Sequence, residues 1–309
     1  MIRWCNHIPS LDLVRDPRFR LVIASLIITI LIILLRVVVY MITGSIAVLA
    51  DVIHSSSDLT ANIIAITALA FSMRKPDEEH PYGHGKAEGI GSFSISLILL
   101  FLASLIIMQA LSRMISGSVE VEFTFYSVLL LIITLALDLW RSKALERGGL
   151  RYGSMILRAD ALHYKSDFYI TSSVLAVGLV DLIYRNESLI LILDSAMSIG
   201  IAGYIILASY RMMRLSLDEL MDRSQKELAE LFIEVSESLG ARVRSVRSRR
   251  AGRKIFIDAV ILLPEDLKID KAHEITDEIE KNIRRRIREE VDIVIHVEPE
   301  NRSLEERSY

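Results

Sequence analysis

Hydrophobic residues in this chain form long, nearly unbroken runs up to about residue 213, and short periodic ones after it. A helix needs roughly 20 predominantly apolar residues to cross the hydrocarbon core of a bilayer. Six segments reach that length: about 19–41, 45–72, 89–114, 121–145, 154–184 and 188–212. Beyond them the period changes. Leu228, Leu231, Phe232 and Val235 recur at helical spacing within 223–240. Strand-like runs follow at 242–248 and 254–263, then a helical stretch at 268–287 and a last strand at 292–297. Helix, strand, strand, helix, strand predicts a small α+β open sandwich with its helices on one face of the sheet. The expected organisation is an N-terminal segment 1–18, a six-helix membrane domain 19–213, a soluble domain 214–299 and a charged, disordered tail 300–309.

Charge gives this plan a direction. The 73–88 loop carries Arg74, Lys75 and Lys86, and the 146–153 loop carries Arg147 and Arg151, flanked by Arg141, Lys143 and Arg158. The loop near 116–122 has Glu120 and Glu122 and no Lys or Arg. The positive-inside rule places the basic loops in the cytoplasm, and six spans then put both termini there. Arg113 is an exception to that bias. Residues 1–18 lack the apolar core of a cleaved signal peptide, so the first apolar run reads as a span. A single cysteine, Cys5, excludes an internal disulfide and a thiolate metal cluster. The basic stretch Arg244–Arg253 lies in a strand pattern, which predicts a solvated hairpin and no nucleic-acid partner.

The polar residues inside the apolar runs carry the chemistry. Span two contains Ala50-Asp51-Val52-Ile53-His54-Ser55-Ser56-Ser57-Asp58, and span five contains Ala159-Asp160-Ala161-Leu162-His163-Tyr164-Lys165-Ser166-Asp167. Positions i, i+3 and i+7 share a helix face, so Asp, His and Asp point the same way in each span. Ionisable groups within a membrane are costly and mark ion pathways. Two imidazoles and two carboxylates form a tetrahedral N/O donor set suited to Zn²⁺. His54 with Asp58, and His163 with Asp167, are i,i+4 pairs, so each helix offers two ligands to one ion. Asp51 and Asp160 are then pathway acids at opposite mouths of the site. Helix-packing polar residues, or a proton relay without metal, are the plainer readings of the same motif.

Together with the loop His80-Pro81-Tyr82-Gly83-His84-Gly85-Lys86-Ala87-Glu88, these two His-x-x-x-Asp pairs resemble the cation diffusion facilitators. The resemblance runs from about residue 20 to 299. It implies a dimeric, six-span efflux protein with a cytoplasmic ferredoxin-like domain that exchanges a divalent metal for protons. His54, Asp58, His163 and Asp167 would form the transport site. Asp77, His80 and His84 would form a loop metal site. His273, His296 and Glu298 match part of a soluble-domain site, while Arg244 and Val260 occupy two other ligand positions. Lys86 would pair with Asp222 to lock the membrane and soluble parts together. The implied cargo is Zn²⁺, with Fe²⁺, Co²⁺, Cd²⁺ and Mn²⁺ open. Zn²⁺ would also be a structural ion, and no catalytic cofactor is expected. The implied partners are a second copy of the chain, divalent metal ions, protons and the lipid bilayer. A membrane-bound metal sensor without transport is the competing class. An intramembrane metalloenzyme is disfavoured, because no His-Glu-x-x-His is present and four protein ligands would close the coordination sphere.

Overall fold

The computed structural model describes residues 15–43, 46–116, 125–184, 187–287 and 289–300. The chain divides into two compact units, one ending at Leu217 and the other beginning at Asp218. The first unit is built from long helices: α1 Pro17–Thr43, α2 Ile46–Ser72, α3 Ala87–Ser116, α4 Phe125–Tyr152, α5 Met155–Tyr184 and α6 Glu187–Leu220. Even the shortest of these has 27 residues, about 40 Å of helix at 1.5 Å per residue, more than a bilayer core requires. Three, spanning Pro17–Ile42, Ala87–Ser116 and Ser188–Leu220, are long and apolar enough to cross a membrane by composition. The other three carry the charges that dilute their hydropathy. Asp51 and Asp58 lie on α2; Asp138, Arg141, Lys143 and Glu146 on α4; Arg158, Asp160, Lys165 and Asp167 on α5. The six-span expectation is therefore met on composition by three helices.

Two boundaries differ from expectation. Residues 146–152 are not loop but the last turns of α4, and α6 runs through the expected domain boundary at 213 to Leu220. The α4–α5 connection is instead a tight turn. Gly153 takes a positive φ of 62°, and the Ser154 N–H bonds the Gly149 carbonyl at 3.0 Å. A Cβ on Gly149 would come within 3.1 Å of the Arg158 backbone nitrogen, so the close approach of the two helices needs glycine there. Leu69, Ile95, Leu145, Ile156, Leu157 and Tyr164 form the buried core of this unit.

Buried ion pairs tie the helices together. Glu88, at the start of α3, accepts from Arg18 of α1 at 2.6 Å, from Ser72 of α2 at 3.4 Å and from Ser154 just before α5. The acid ending the His-Pro-Tyr-Gly-His-Gly-Lys-Ala-Glu segment thus fastens four helix ends at once. Arg113, the exception to the charge bias, meets Asp194 of α6 at 3.0 Å.

The second unit holds α7 Lys226–Ser238, β1 Arg242–Ala251, β2 Lys254–Leu263, α8 Ile269–Arg286 and β3 Glu290–Pro299. The sheet order is β1-β2-β3, with β1 antiparallel and β3 parallel to β2. The predicted element order holds. The sheet has three strands among the described residues, one fewer than the βαββαβ ferredoxin-like arrangement. Ile255, Ile257, Ala259, Ile261 and Leu263 alternate along β2 and bury one face against Phe232 and Val235 of α7 and Ile279 and Ile283 of α8. Three arginines end α8, where positive charge suits the helix C-terminus. Two of the arginines of β1 are paired: Arg244 bonds Glu298, and Arg250 bonds Glu289 at 2.8 Å. That pairing explains the basic run as a solvated hairpin.

Candidate metal transport site

The α5 helix places Asp160, His163 and Asp167 on one face, and α2 brings Asp58 to meet them. His163 Nε2 lies 3.4 Å from Asp58 Oδ1 and 3.6 Å from Asp167 Oδ2. Donors held 2.0–2.1 Å from a tetrahedral Zn²⁺ stand about 3.3–3.4 Å apart, so these spacings fit one shared cation. The side chains are 3%, 13% and 18% exposed for His163, Asp58 and Asp167, enough for a dry site with an opening.

Hydrogen bonding points the same way. Among the described residues, both nitrogens of His163, Oδ2 of Asp167 and both carboxylate oxygens of Asp160 are buried without a hydrogen-bond partner. Buried polar groups are normally satisfied, and an orphan costs about 1–3 kcal/mol. Of these atoms, His163 Nε2 and Asp167 Oδ2 form, with the Asp58 carboxylate, a donor set that one cation would satisfy. The side chains of Asp51 and His54 lie outside the described residues. Three of the four expected ligands are thus brought together. Asp160, one turn before His163, is fully buried.

The second cluster is the loop before α3. Asp77 Oδ1 accepts the backbone N–H of His80 at 2.7 Å and of Glu79 at 3.1 Å. This cap curls the loop, and Gly83 at φ 86° turns it back so that His84 faces Asp77. His80 Nδ1 and His84 Nε2 each lie 3.4 Å from an Asp77 carboxylate oxygen. His84 is buried edge-on against Phe71 at 4.8 Å, whereas Asp77 and His80 are about half exposed. The His80 backbone N–H, aided by the nearby imidazoles, holds the Asp77 carboxyl below the usual carboxylate range. A depressed pKa keeps a carboxylate charged until the pH falls through that lower value. Metal also needs the neutral imidazole. Calorimetric zinc titration of His80→Ala/His84→Ala should lose one bound ion per chain; unchanged stoichiometry would remove the loop site.

Among the described residues, the expected soluble-domain ligands do not form a three-residue cluster. His273 is 75% exposed and sits 3.8 Å from Asp277. His296 is 67% exposed and 3.7 Å from Glu298, which is already paired with Arg244. The guanidinium supplies the positive charge at that carboxylate. In the same unit, Asp222 takes a positive φ of 56° and lies 3.7 Å from Arg249.

Sequence reasoning missed a polar cluster beside the transport site. Arg141 is not a loop-flanking charge: it is 4% exposed and donates to Asp138 on its own helix and to Thr29 of α1 at 2.8 Å. An i,i+3 acid–base pair inside an apolar run was the available signal.

Residues 22–221 match the cation efflux transmembrane domain, and residues 223–300 match the cytoplasmic domain of cation efflux proteins. The manganese efflux system protein MneP of Bacillus subtilis is 29% identical over 82% of this chain and 86% of its own. The cation-efflux pump FieF of Pectobacterium carotovorum is 27% identical over 83% of this chain and 84% of its own. A solved zinc form of CzrB is 26% identical over 25% of this chain and 90% of that one, with a TM-score of 0.23. Matches to both the membrane and the cytoplasmic parts, joined to a buried His/Asp cluster on two facing helices, make the chain a member of the cation diffusion facilitators, an integral-membrane family of metal-cation efflux proteins.

Proposed function

We propose that this chain exports Zn²⁺ from the cytoplasm as a homodimeric proton antiporter working by alternating access, with both termini in the cytoplasm. The observation that carries this reading is the Asp58–His163–Asp167 cluster; His54 is proposed as the fourth ligand from its i,i+4 spacing to Asp58 in the sequence. Its imidazole content favours zinc over manganese, which suits an all-oxygen site. That choice separates it from the manganese protein it resembles. Fe²⁺, Co²⁺ and Cd²⁺ share the same donor chemistry. Asp51 and Asp160 serve as pathway acids: Asp160→Asn should slow zinc flux while leaving equilibrium binding nearly intact. Equal and complete loss of binding in Asp160→Asn and Asp51→Asn would contradict that role.

From the sequence, Lys86 and Asp222 are proposed as a charge pair. Lys86→Ala with unchanged dimerisation and transport would remove it. The exposure of His273 and His296 and the Arg244–Glu298 pair support a soluble domain that folds without metal. The reading as a whole is tested by metal flux in proteoliposomes offered Zn²⁺, Fe²⁺, Mn²⁺, Co²⁺ and Cd²⁺ in turn. Tight zinc binding with no flux of any metal would leave the sensor reading in its place.

A further inference from the structure

Five buried polar side chains from four helices meet next to the transport site: Thr29 on α1, Asn62 on α2, Asp138 and Arg141 on α4, and Tyr164 on α5. All are at most 4% exposed. Asn62 lies one turn beyond Asp58 and donates to the Asp58 carbonyl at 3.1 Å. Tyr164 follows His163 directly and donates its hydroxyl hydrogen to Asn62 Oδ1 at 3.0 Å. One hydrogen bond therefore joins the ligand-bearing turn of α2 to the ligand-bearing turn of α5.

The rest of the cluster fixes that bond. Thr29 Oγ1 accepts from Asn62 at 3.1 Å and from Arg141 at 2.8 Å, and stands 3.2 Å from the Tyr164 hydroxyl. The Arg141 guanidinium lies 3.5 Å from the centre of the Tyr164 ring. Its remaining donors go to Asp138, so its charge is compensated on its own helix. Arginine stays charged and its planar fork suits a fixed, stacked role. A polar network this fully satisfied is rigid, and a rigid network specifies one arrangement of the helices it joins.

We propose that this cluster is a positioning network which sets the spacing of Asp58 against His163, and through it the preference of the transport site among divalent metals. None of the five need touch the ion. Because His163 and Tyr164 are consecutive on one helix, the bond that anchors Tyr164 to Asn62 also fixes the turn of α5 that carries His163. Metals bound by similar donors are told apart by geometry more than by raw affinity. A change of a few tenths of an ångström between ligands is therefore enough to reorder them. The proposal rests on the transport-site reading above.

The test is equilibrium titration of the purified full-length chain with Zn²⁺, Mn²⁺ and Cd²⁺. The affinity class that Asp58→Ala abolishes identifies the transport site. Tyr164→Phe keeps the ring under Arg141 and removes the hydroxyl. It should weaken zinc about tenfold, as loss of one buried hydrogen bond allows, and bring the zinc and manganese affinities several-fold closer. Arg141→Met alone would strand Asp138 as an unpaired buried charge and is expected not to fold. The paired variant Asp138→Leu/Arg141→Met avoids this and should shift the same ratio. A merely structural role would lower the number of competent sites and leave the ratio of metal affinities as in the wild type. That result, or no change in either variant, overturns the proposal. Zinc flux measured on the same wild-type sample judges the transport reading separately. Its absence would sink that reading and leave the affinity comparison standing.

Discussion

Asp58→Ala should cut zinc flux in proteoliposomes by at least about a hundredfold, to the level of protein-free vesicles. Even outer-shell partners of metal ligands are worth about 10–100-fold, and Asp58 is placed to be a ligand itself. Its carboxylate stands 3.4 Å from His163 Nε2, and no other described carboxylate approaches that nitrogen as closely. Truncation also removes a negative charge from a nearly dry site, where a neutral residue cannot replace it in holding a dication. The fold should survive. The side chain is 13% exposed, and the Asn62 bond in that turn goes to the Asp58 backbone carbonyl, which alanine keeps. Asp58→Asn keeps the volume and one oxygen, so it separates charge from shape. If asparagine restores more than about a tenth of the flux, Asp58 acts by geometry. If alanine itself transports at a wild-type rate, the site lies elsewhere.

Much of this was readable in the sequence, for identifiable reasons. Membrane helices announce themselves by length of apolar run, and α1, α3 and α6 do so cleanly. The Asp-x-x-His-x-x-x-Asp spacing is a helical period, so the convergence of His163 and Asp167 on one face followed before any coordinates. What spacing cannot give is which helix faces which, and so the meeting of Asp58 with His163 needed the fold. The sequence reading failed where a charge had two explanations. Arg141 sits five residues from the basic Glu146-Arg147 segment, and only its burial against Asp138 and Tyr164 shows that it belongs to the interior. The soluble-domain residues are a different case. Arg244 at an expected ligand position was visible, but its pairing with Glu298, which engages that carboxylate, is a cross-strand contact that sequence distance hides.

The same cluster should couple zinc to protons. A metal takes neutral imidazole and ionised carboxylate, so protons and zinc compete for the same atoms. At near-neutral cytoplasmic pH zinc displaces the protons that the ligands carry, and those protons leave to the cytoplasm. On an acidic outer side protons return and expel the ion. In vesicles whose lumen stands for that outer side, a lumen about one pH unit more acid should therefore accumulate zinc. With the membrane voltage clamped, each proton exchanged multiplies the equilibrium zinc ratio by about tenfold per pH unit, since one unit corresponds to about 1.36 kcal/mol per proton. Reversing the gradient should reverse the net flux, and a protonophore should abolish accumulation while leaving slow zinc-for-zinc exchange. Among the described residues, the His163 nitrogens, the Asp160 oxygens and Asp167 Oδ2 have no hydrogen-bond partner, so they are the atoms at which those protons would bind. Accumulation that ignores both the sign of the gradient and its collapse would make the protein a zinc carrier driven by the metal's own gradient, with no part for protons.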